Sequence, residues 1–130
     1  MLIGISPYLS PDLLATLYHM GHGDEIVLVD LHFPGDSIGQ RVLRADGLRI
    51  TQLLTGILPL IPLDTYIPAP VYMMAAVDGD ILDPNVETSY RAVIDHFAPQ
   101  TPQIQRIERF AFYERVRTAF AVVMTGETAK

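Results

Sequence analysis

The sequence of 130 residues contains no cysteine and no tryptophan, and its only lysine is the last residue. The lack of cysteine excludes disulfides, thiolate metal sites and a cysteine nucleophile, and it is typical of proteins from a reducing compartment such as the cytoplasm. Basic residues are scarce as well, because nine Lys and Arg stand against fifteen Asp and Glu, for a net charge of −6. A chain this acidic lacks the basic surface that binds nucleic acid.

Long hydrophobic runs are also missing. The longest apolar stretches, 56–62 and 69–77, are short and interrupted by proline, so neither predicts a membrane span. The N-terminus has no basic region before an apolar one, so no signal peptide is predicted. Hydrophobic residues nevertheless make up 49% of the chain. We therefore expect a soluble cytoplasmic protein with one domain over residues 1–130, which buries apolar surface against copies of itself.

The first elements can be read from their boundary residues. Ser10, Pro11 and Asp12 are typical of a helix start and predict a helix over 11–20, which Gly21 ends.

The next segment predicts an exposed turn at 22–24 and a buried strand over 25–30, because Ile, Val and Leu follow one another there. Pro34 and Gly35 place 31–39 in a loop, and 41–45 is a second short strand.

The same reasoning predicts further helices and strands in alternation. The helices are expected at 51–58, 84–96 and 112–120, and the extended segments at 71–77, 105–109 and 121–124. Strands that alternate with helices predict a layered α/β fold with a parallel sheet.

Titratable side chains cluster around the strand at 25–30. Asp30 ends this strand, where α/β sheets collect ligands, and His32 follows two residues later on the same side. His22 lies between two glycines, which leaves room for a ligand. We expect His22 and Asp30 to converge on one cavity.

An imidazole beside a carboxylate suits proton transfer near neutral pH. The sequence has no nucleophile elbow and no phosphate-binding glycine loop, and the opening of a sugar hemiacetal needs neither. The residue types alone leave other interpretations open. A single histidine in a turn is more often solvated than catalytic, and Asp30 is also typical of a loop cap. His22, Asp24, Asp30 and His32 have the residue types of a metal site, although their spacing matches no strong metal motif. Arg109 and Tyr113, next to other aromatic residues, could bind hydroxyl groups.

Several motifs along the chain resemble the ribose pyranase and L-fucose mutarotase family. They are Gly21-His22-Gly23-Asp24-Glu25, Asp30, His32-Phe33-Pro34, Arg44-Ala45-Asp46-Gly47, Met73-Met74-Ala75-Ala76-Val77, the run from Arg109 to Arg115, and Thr125-Gly126-Glu127. The run from Arg109 to Arg115 and the His-Phe-Pro segment resemble the fucose branch in particular.

The resemblance implies an α/β/α domain of three layers with a central, mostly parallel sheet, assembled into a ring-shaped homo-oligomer, commonly a decamer. It implies that His22 is the catalytic acid/base and that Asp30, Arg109 and Tyr113 bind the sugar, L-fucose or a close relative, without a metal or an organic cofactor. Family members continue past the position of Lys130 with a Tyr-Gly-Asn segment that helps to complete the sugar site, sometimes that of a neighbouring subunit.

Three alternatives remain at this point. The protein could catalyse pyranose–furanose exchange of D-ribose, it could bind a monosaccharide without catalysis, or it could be a metal-dependent sugar isomerase.

Overall fold

The computed structural model describes residues 2–130, in which helices and strands alternate along most of the chain. The helices are Pro11–His19 (α1), Gly35–Ile38 (α2), Ile50–Ile57 (α3), Pro84–Phe97 (α4) and Arg109–Thr118 (α5). The strands are Ile26–Val29 (β1), Val42–Ala45 (β2), Tyr72–Met74 (β3), Gln105–Ile107 (β4) and Ala121–Thr125 (β5). No helix in this part of the chain is long and apolar enough to cross a membrane.

The strands form two parallel sheets. The larger has the order β1-β5-β2, so the last strand of the chain lies between the first two. Ile26 pairs with Ala121 and Val42 with Val122, while β3 and β4 pair separately. All five residues of β5 are buried, because strands flank it on both sides and helices cover both faces. The predicted α/β fold with a parallel sheet is confirmed.

The larger sheet is the middle layer of three, because successive side chains of β5 point to opposite faces. On one face Val123 packs with side chains of the first and third helices and the segment before α1: Leu9, Leu13, Leu17, Leu53 and Ile57. On the other face Val122 and Met124 pack with the last residue of β1, the loop that follows it and α5: Val29, Phe33 and Val116. The α/β/α layering is therefore confirmed.

The two helix starts that proline and a capping residue predicted are confirmed. Ser10 accepts a hydrogen bond from the Leu13 N–H at 3.1 Å, and Asp83 accepts one from the Asn85 N–H at 2.9 Å. Each side chain satisfies an N–H group that has no partner inside its own helix.

Other boundaries differ from the prediction. The segment expected to be a loop contains α2, a helix of four residues. Gly21 does not end α1 with a left-handed conformation, because the chain leaves the helix through an extended Met20 and the positive φ falls at Gly23. The segment predicted as a buried strand at 71–77 is strand only over Tyr72–Met74, and there it is half-buried.

Helix α5 begins three residues earlier than the apolar pattern indicated. Glu108 caps it by accepting hydrogen bonds from the N–H groups of Phe110 and Ala111 at 2.9 and 3.2 Å. Arg109 is therefore the first residue of a helix and not the last of an extended segment.

Candidate active site

His22 lies in the exposed turn that was predicted between α1 and β1. The Asp24 N–H donates to the Gly21 carbonyl at 3.1 Å, and the Asp24 carboxylate accepts from the Gly21 N–H at 2.8 Å. Gly23 has φ +82°, a conformation that favours glycine. The glycine after His22 is thus needed for the turn, and this turn presents the imidazole to solvent.

Asp30 directly follows β1, at the carboxyl edge of the larger sheet, and is partly buried. Its Oδ1 accepts the His32 N–H at 2.8 Å, which bends the chain away from the strand. The turn uses only Oδ1, so Oδ2 of Asp30 can accept a hydrogen bond from a hydroxyl group.

Two predicted residues on α5 lie towards the same edge. The guanidinium of Arg109 is 4.6 Å from the centre of the Phe110 ring, as expected for an arginine held against an aromatic side chain. The Tyr113 ring meets Phe33, three residues after Asp30, edge to face at 5.2 Å between ring centres. Asp30 and Tyr113 are thereby brought to one region of the surface.

His22 and Asp30 lie at opposite ends of β1. The turn with His22 precedes the strand, whereas Asp30 follows it. Four strand residues at the usual rise span about 13 Å, longer than a monosaccharide ring. The expected convergence of the two groups is therefore not present within one copy of the chain.

The entry to β1 is fixed to α5 by an ion pair. Arg115 Nε lies 3.0 and 2.8 Å from the two carboxylate oxygens of Glu25, and its guanidinium stacks on Tyr72 at 3.8 Å from the ring centre. Glu25 also accepts the Phe120 N–H through its carbonyl at 2.9 Å. The turn that carries His22 is thus attached to the last turn of α5.

The sequence reasoning missed a group of residues beside Asp30. Glu127 is only 9% exposed, and its carboxylate contacts Arg49 and the hydroxyl of Tyr90, another residue that is 9% exposed. Tyr90 and Glu127 are 37 positions apart in the sequence, so no local pattern joins them. Only the motif Thr125-Gly126-Glu127 pointed to this place.

The candidate residues form neither a metal-binding group nor the lining of the two surface depressions described below. Among residues 2–130 no group of three or more His, Cys, Asp or Glu could hold a metal ion, so His22, Asp24, Asp30 and His32 do not form such a group within one copy. One shallow surface depression lies between the start of α4 and the last residues of the chain, and another lies along α4. Neither is lined by His22, Asp30, Arg109 or Tyr113.

Known proteins resemble this chain over its whole length. The model of the RbsD / FucU transport protein family matches residues 3–130. The L-fucose mutarotase of Histophilus somni (strain 2336) is 57% identical over 130 residues, which are 100% of this chain and 90% of that protein. The L-fucose mutarotase of Actinobacillus pleuropneumoniae serotype 5b is 55% identical with the same coverage.

Solved structures agree with these relatives. The fucose mutarotase of Streptococcus pneumoniae in complex with L-fucose superposes with a TM-score of 0.92 at 43% identity, over 98% of this chain and 91% of that one. Bacillus subtilis RbsD complexed with D-ribose superposes with a TM-score of 0.69 at 17% identity, over 99% and 90% of the two chains. The second likeness concerns the fold alone.

Proposed function

The chain belongs to the RbsD / FucU transport protein family, and on that premise we propose that it is a mutarotase, an isomerase that interconverts the α and β anomers of L-fucose. The observation that carries this function is the 57% identity to an L-fucose mutarotase over all 130 residues. The structure with L-fucose, at 43% identity, supports the same sugar. The ribose alternative has only a distant relative in its favour, at 17% identity.

Mutarotation requires two proton transfers and one bond cleavage. A base removes the proton of the anomeric hydroxyl, an acid protonates the ring oxygen, and the bond between that oxygen and C1 breaks to give the open aldehyde. Rotation about the adjacent bond and reclosure on the other face give the second anomer. We assign one of the proton transfers to His22, because its exposed imidazole can reach a sugar and imidazole is the side chain that most often transfers protons in enzymes.

Asp30, Arg109 and Tyr113 are the proposed sugar-binding residues. A carboxylate accepts hydrogen bonds from sugar hydroxyls, while a guanidinium and a phenol donate them. Asp30 and Tyr113 lie in one region, because Phe33, close behind Asp30 in sequence, contacts Tyr113. These residues would hold the sugar so that the anomeric hydroxyl and the ring oxygen meet their proton-transfer partners.

We further propose that each catalytic centre forms between two copies of the chain, with His22 from one copy and Asp30 from its neighbour. This arrangement follows from the placement of the two residues at opposite ends of β1. Ile3, Tyr18, Tyr66 and Ile81 are at least 90% exposed, and such side chains are usually covered in an assembly. A ring-shaped homo-oligomer, a decamer, of single-domain subunits over residues 1–130 would bring the two ends together.

Two further features belong to the same proposal. No metal or organic cofactor is required, because the reaction needs only acid–base groups. A cytoplasmic location fits the absence of cysteine, since reducing compartments do not select for disulfides.

Saturation-transfer NMR on L-fucose tests the function directly. In this experiment one anomeric proton is saturated and the loss of the other anomer's signal gives the exchange rate. The protein is expected to raise that rate in proportion to its concentration, and to raise pyranose–furanose exchange of D-ribose much less. Saturable fucose binding with no faster exchange would replace the enzyme by a sugar-binding protein. Loss of activity after chelation and its return with added metal would favour a metal-dependent isomerase.

A further inference from the structure

Asp30 lies between two residues that are attached to the end of β5. The Thr125 hydroxyl donates to the carbonyl of Val29 at 2.7 Å, and the Leu31 N–H donates to the carbonyl of Glu127 at 3.0 Å. The Glu127 N–H in turn donates to the Thr125 hydroxyl at 3.1 Å. The backbone on both sides of Asp30 therefore depends on the conformation of residues 125–127.

That conformation is fixed by the Glu127 carboxylate. Its Oε2 accepts hydrogen bonds from Arg49 Nη1 at 3.1 Å and from the N–H groups of Thr128 and Ala129 at 3.0 and 3.4 Å. Its Oε1 accepts the Tyr90 hydroxyl at 3.5 Å, which connects the end of β5 to the middle of α4. A buried carboxylate with this many donors is held in one orientation.

We propose that Glu127 and Tyr90 are positioning residues for Asp30, which hold the carboxyl ends of β1 and β5 so that the Asp30 carboxylate is presented to the sugar hydroxyls. This inference rests on the proposed function, and it goes beyond it because neither residue is among the groups assigned to the sugar or to proton transfer.

The protonation states of Tyr90 and Glu127 favour a lasting hydrogen bond between them. Burial raises the pKa of Tyr90, and the negative charges of Glu127 and Asp30 raise it further. Burial acts against ionisation of Glu127, but the N–H of Ala129 and the guanidinium of Arg49 outweigh it and lower the pKa of this carboxyl. Tyr90 therefore stays neutral and Glu127 stays charged near neutral pH, which keeps the hydrogen bond between the phenol and the carboxylate.

Loss of this positioning is expected to weaken sugar binding more than it slows the chemical step. If Asp30 holds a hydroxyl equally in the ground state and the transition state, a misplaced Asp30 raises KM and leaves kcat nearly unchanged. Loss of a single hydroxyl hydrogen bond should raise KM for L-fucose about three- to tenfold.

The test measures kcat and KM for L-fucose anomer exchange in Tyr90→Phe and Glu127→Gln. Both variants are expected to show the higher KM with kcat within about twofold of the unsubstituted protein. Tyr8→Phe is the matched control, because it removes a hydroxyl from a tyrosine that is 38% exposed and lies outside the contacts of Glu127, and it should change neither constant. Unchanged KM in Tyr90→Phe, with the protein otherwise active, would overturn the inference.

A double-mutant cycle with Asp30→Asn separates positioning from a merely structural role. Where Asn replaces Asp30, Tyr90→Phe is expected to have no further effect on KM, because its effect acts through the carboxylate. The same increase in both backgrounds would contradict the inference. If Glu127→Gln fails to fold, the Tyr90→Phe cycle decides alone. Absence of any exchange activity in the unsubstituted protein would instead overturn the proposed function, and the inference with it.

Discussion

The Thr125 hydroxyl donates a hydrogen bond to the backbone carbonyl of Val29 at 2.7 Å, in the interior between two parallel strands. Thr125 is 1% exposed, and the same hydroxyl accepts the N–H of Glu127. One buried side chain thus satisfies a carbonyl at the end of β1 and an N–H just after β5.

Replacement of the Thr125 hydroxyl by a methyl group should therefore lower the stability of the fold, even though the side chain keeps its shape. Thr125→Val is expected to lower the free energy of unfolding by about 1–3 kcal/mol, because two buried polar groups lose their partner. Urea denaturation measures this, with Thr118→Val as the control on an exposed threonine. An effect no larger than that of the control would show that the bond does not stabilise the fold.

Gly126, in the motif at 125–127, packs against the backbone of Asp46, in the motif at 44–47. A Cβ at this position would collide with the backbone carbonyl oxygen of Asp46, which cannot rotate away as a side chain could. Gly126→Ala is expected to destabilise the protein by roughly 1–3 kcal/mol or to shift the end of β5. Gly47→Ala is the matched control, because nothing lies within 4 Å of its added Cβ. Equal urea midpoints for the two variants would contradict the predicted collision.

The acid stability of the protein should depend on Glu127. Its pKa in the folded protein is below the ordinary value of 4.5, so the charged carboxylate contributes stability that is fully present above that pH. This contribution is lost as the pH falls through the folded-state pKa, because the unfolded chain then binds the proton first. Glu127→Gln should be less stable at neutral pH and should lose less further stability below about pH 4.5.

Urea unfolding at a series of pH values from 3 to 7 measures this dependence. A slope of the unfolding free energy against pH that is identical in the variant and the unsubstituted protein would show that Glu127 is not the titrating group.

The ion pair of Arg115 and Glu25 should matter more for activity than for stability. The two side chains are 34% and 40% exposed, so solvent screens the pair and its loss should cost less than about 1 kcal/mol. Arg115→Lys keeps the charge but loses the planar group that stacks on Tyr72. Because the pair anchors the turn with His22, we expect kcat for L-fucose exchange to fall several-fold.

Arg117→Lys is the control for this substitution. Arg117 lies on the same helix and pairs with the exposed Glu114 at 3.0 Å, and not with Glu25 before β1. If the two variants lose the same fraction of kcat, the attachment of the turn through Arg115 has no role in catalysis.

Local signals predicted much of the fold and only part of the site. Ser10 and Asp83 predicted helix starts because capping is decided by a few neighbouring residues. Glu108 caps α5 in the same way, but the apolar residues after it are not periodic in a helical sense, so the start was placed at Phe112. The position of β5 between β1 and β2 depends on contacts across about a hundred residues, which no window of sequence contains.

The site shows the same division. The turn around His22 and the position of Asp30 after a strand follow from nearby glycines and β-branched residues. Glu127 contacts Tyr90 and Arg49 because elements that are distant in the sequence pack together. The spacing of these residues in the sequence therefore does not predict the contacts. His22 and Asp30 are close in the sequence, but the length of β1 separates them in space.

The central claim is that His22 of one copy and Asp30 of a neighbouring copy form one catalytic centre, and subunit complementation tests it most directly. His22→Ala protein is expected to accelerate L-fucose anomer exchange very little, and Asp30→Asn protein to accelerate it little at sugar concentrations well below its raised KM. Their co-assembly in equal amounts should restore about one quarter of the unsubstituted activity, because random assembly gives that share of centres with both residues intact. Mixed assemblies no more active than either variant alone would contradict the shared centre.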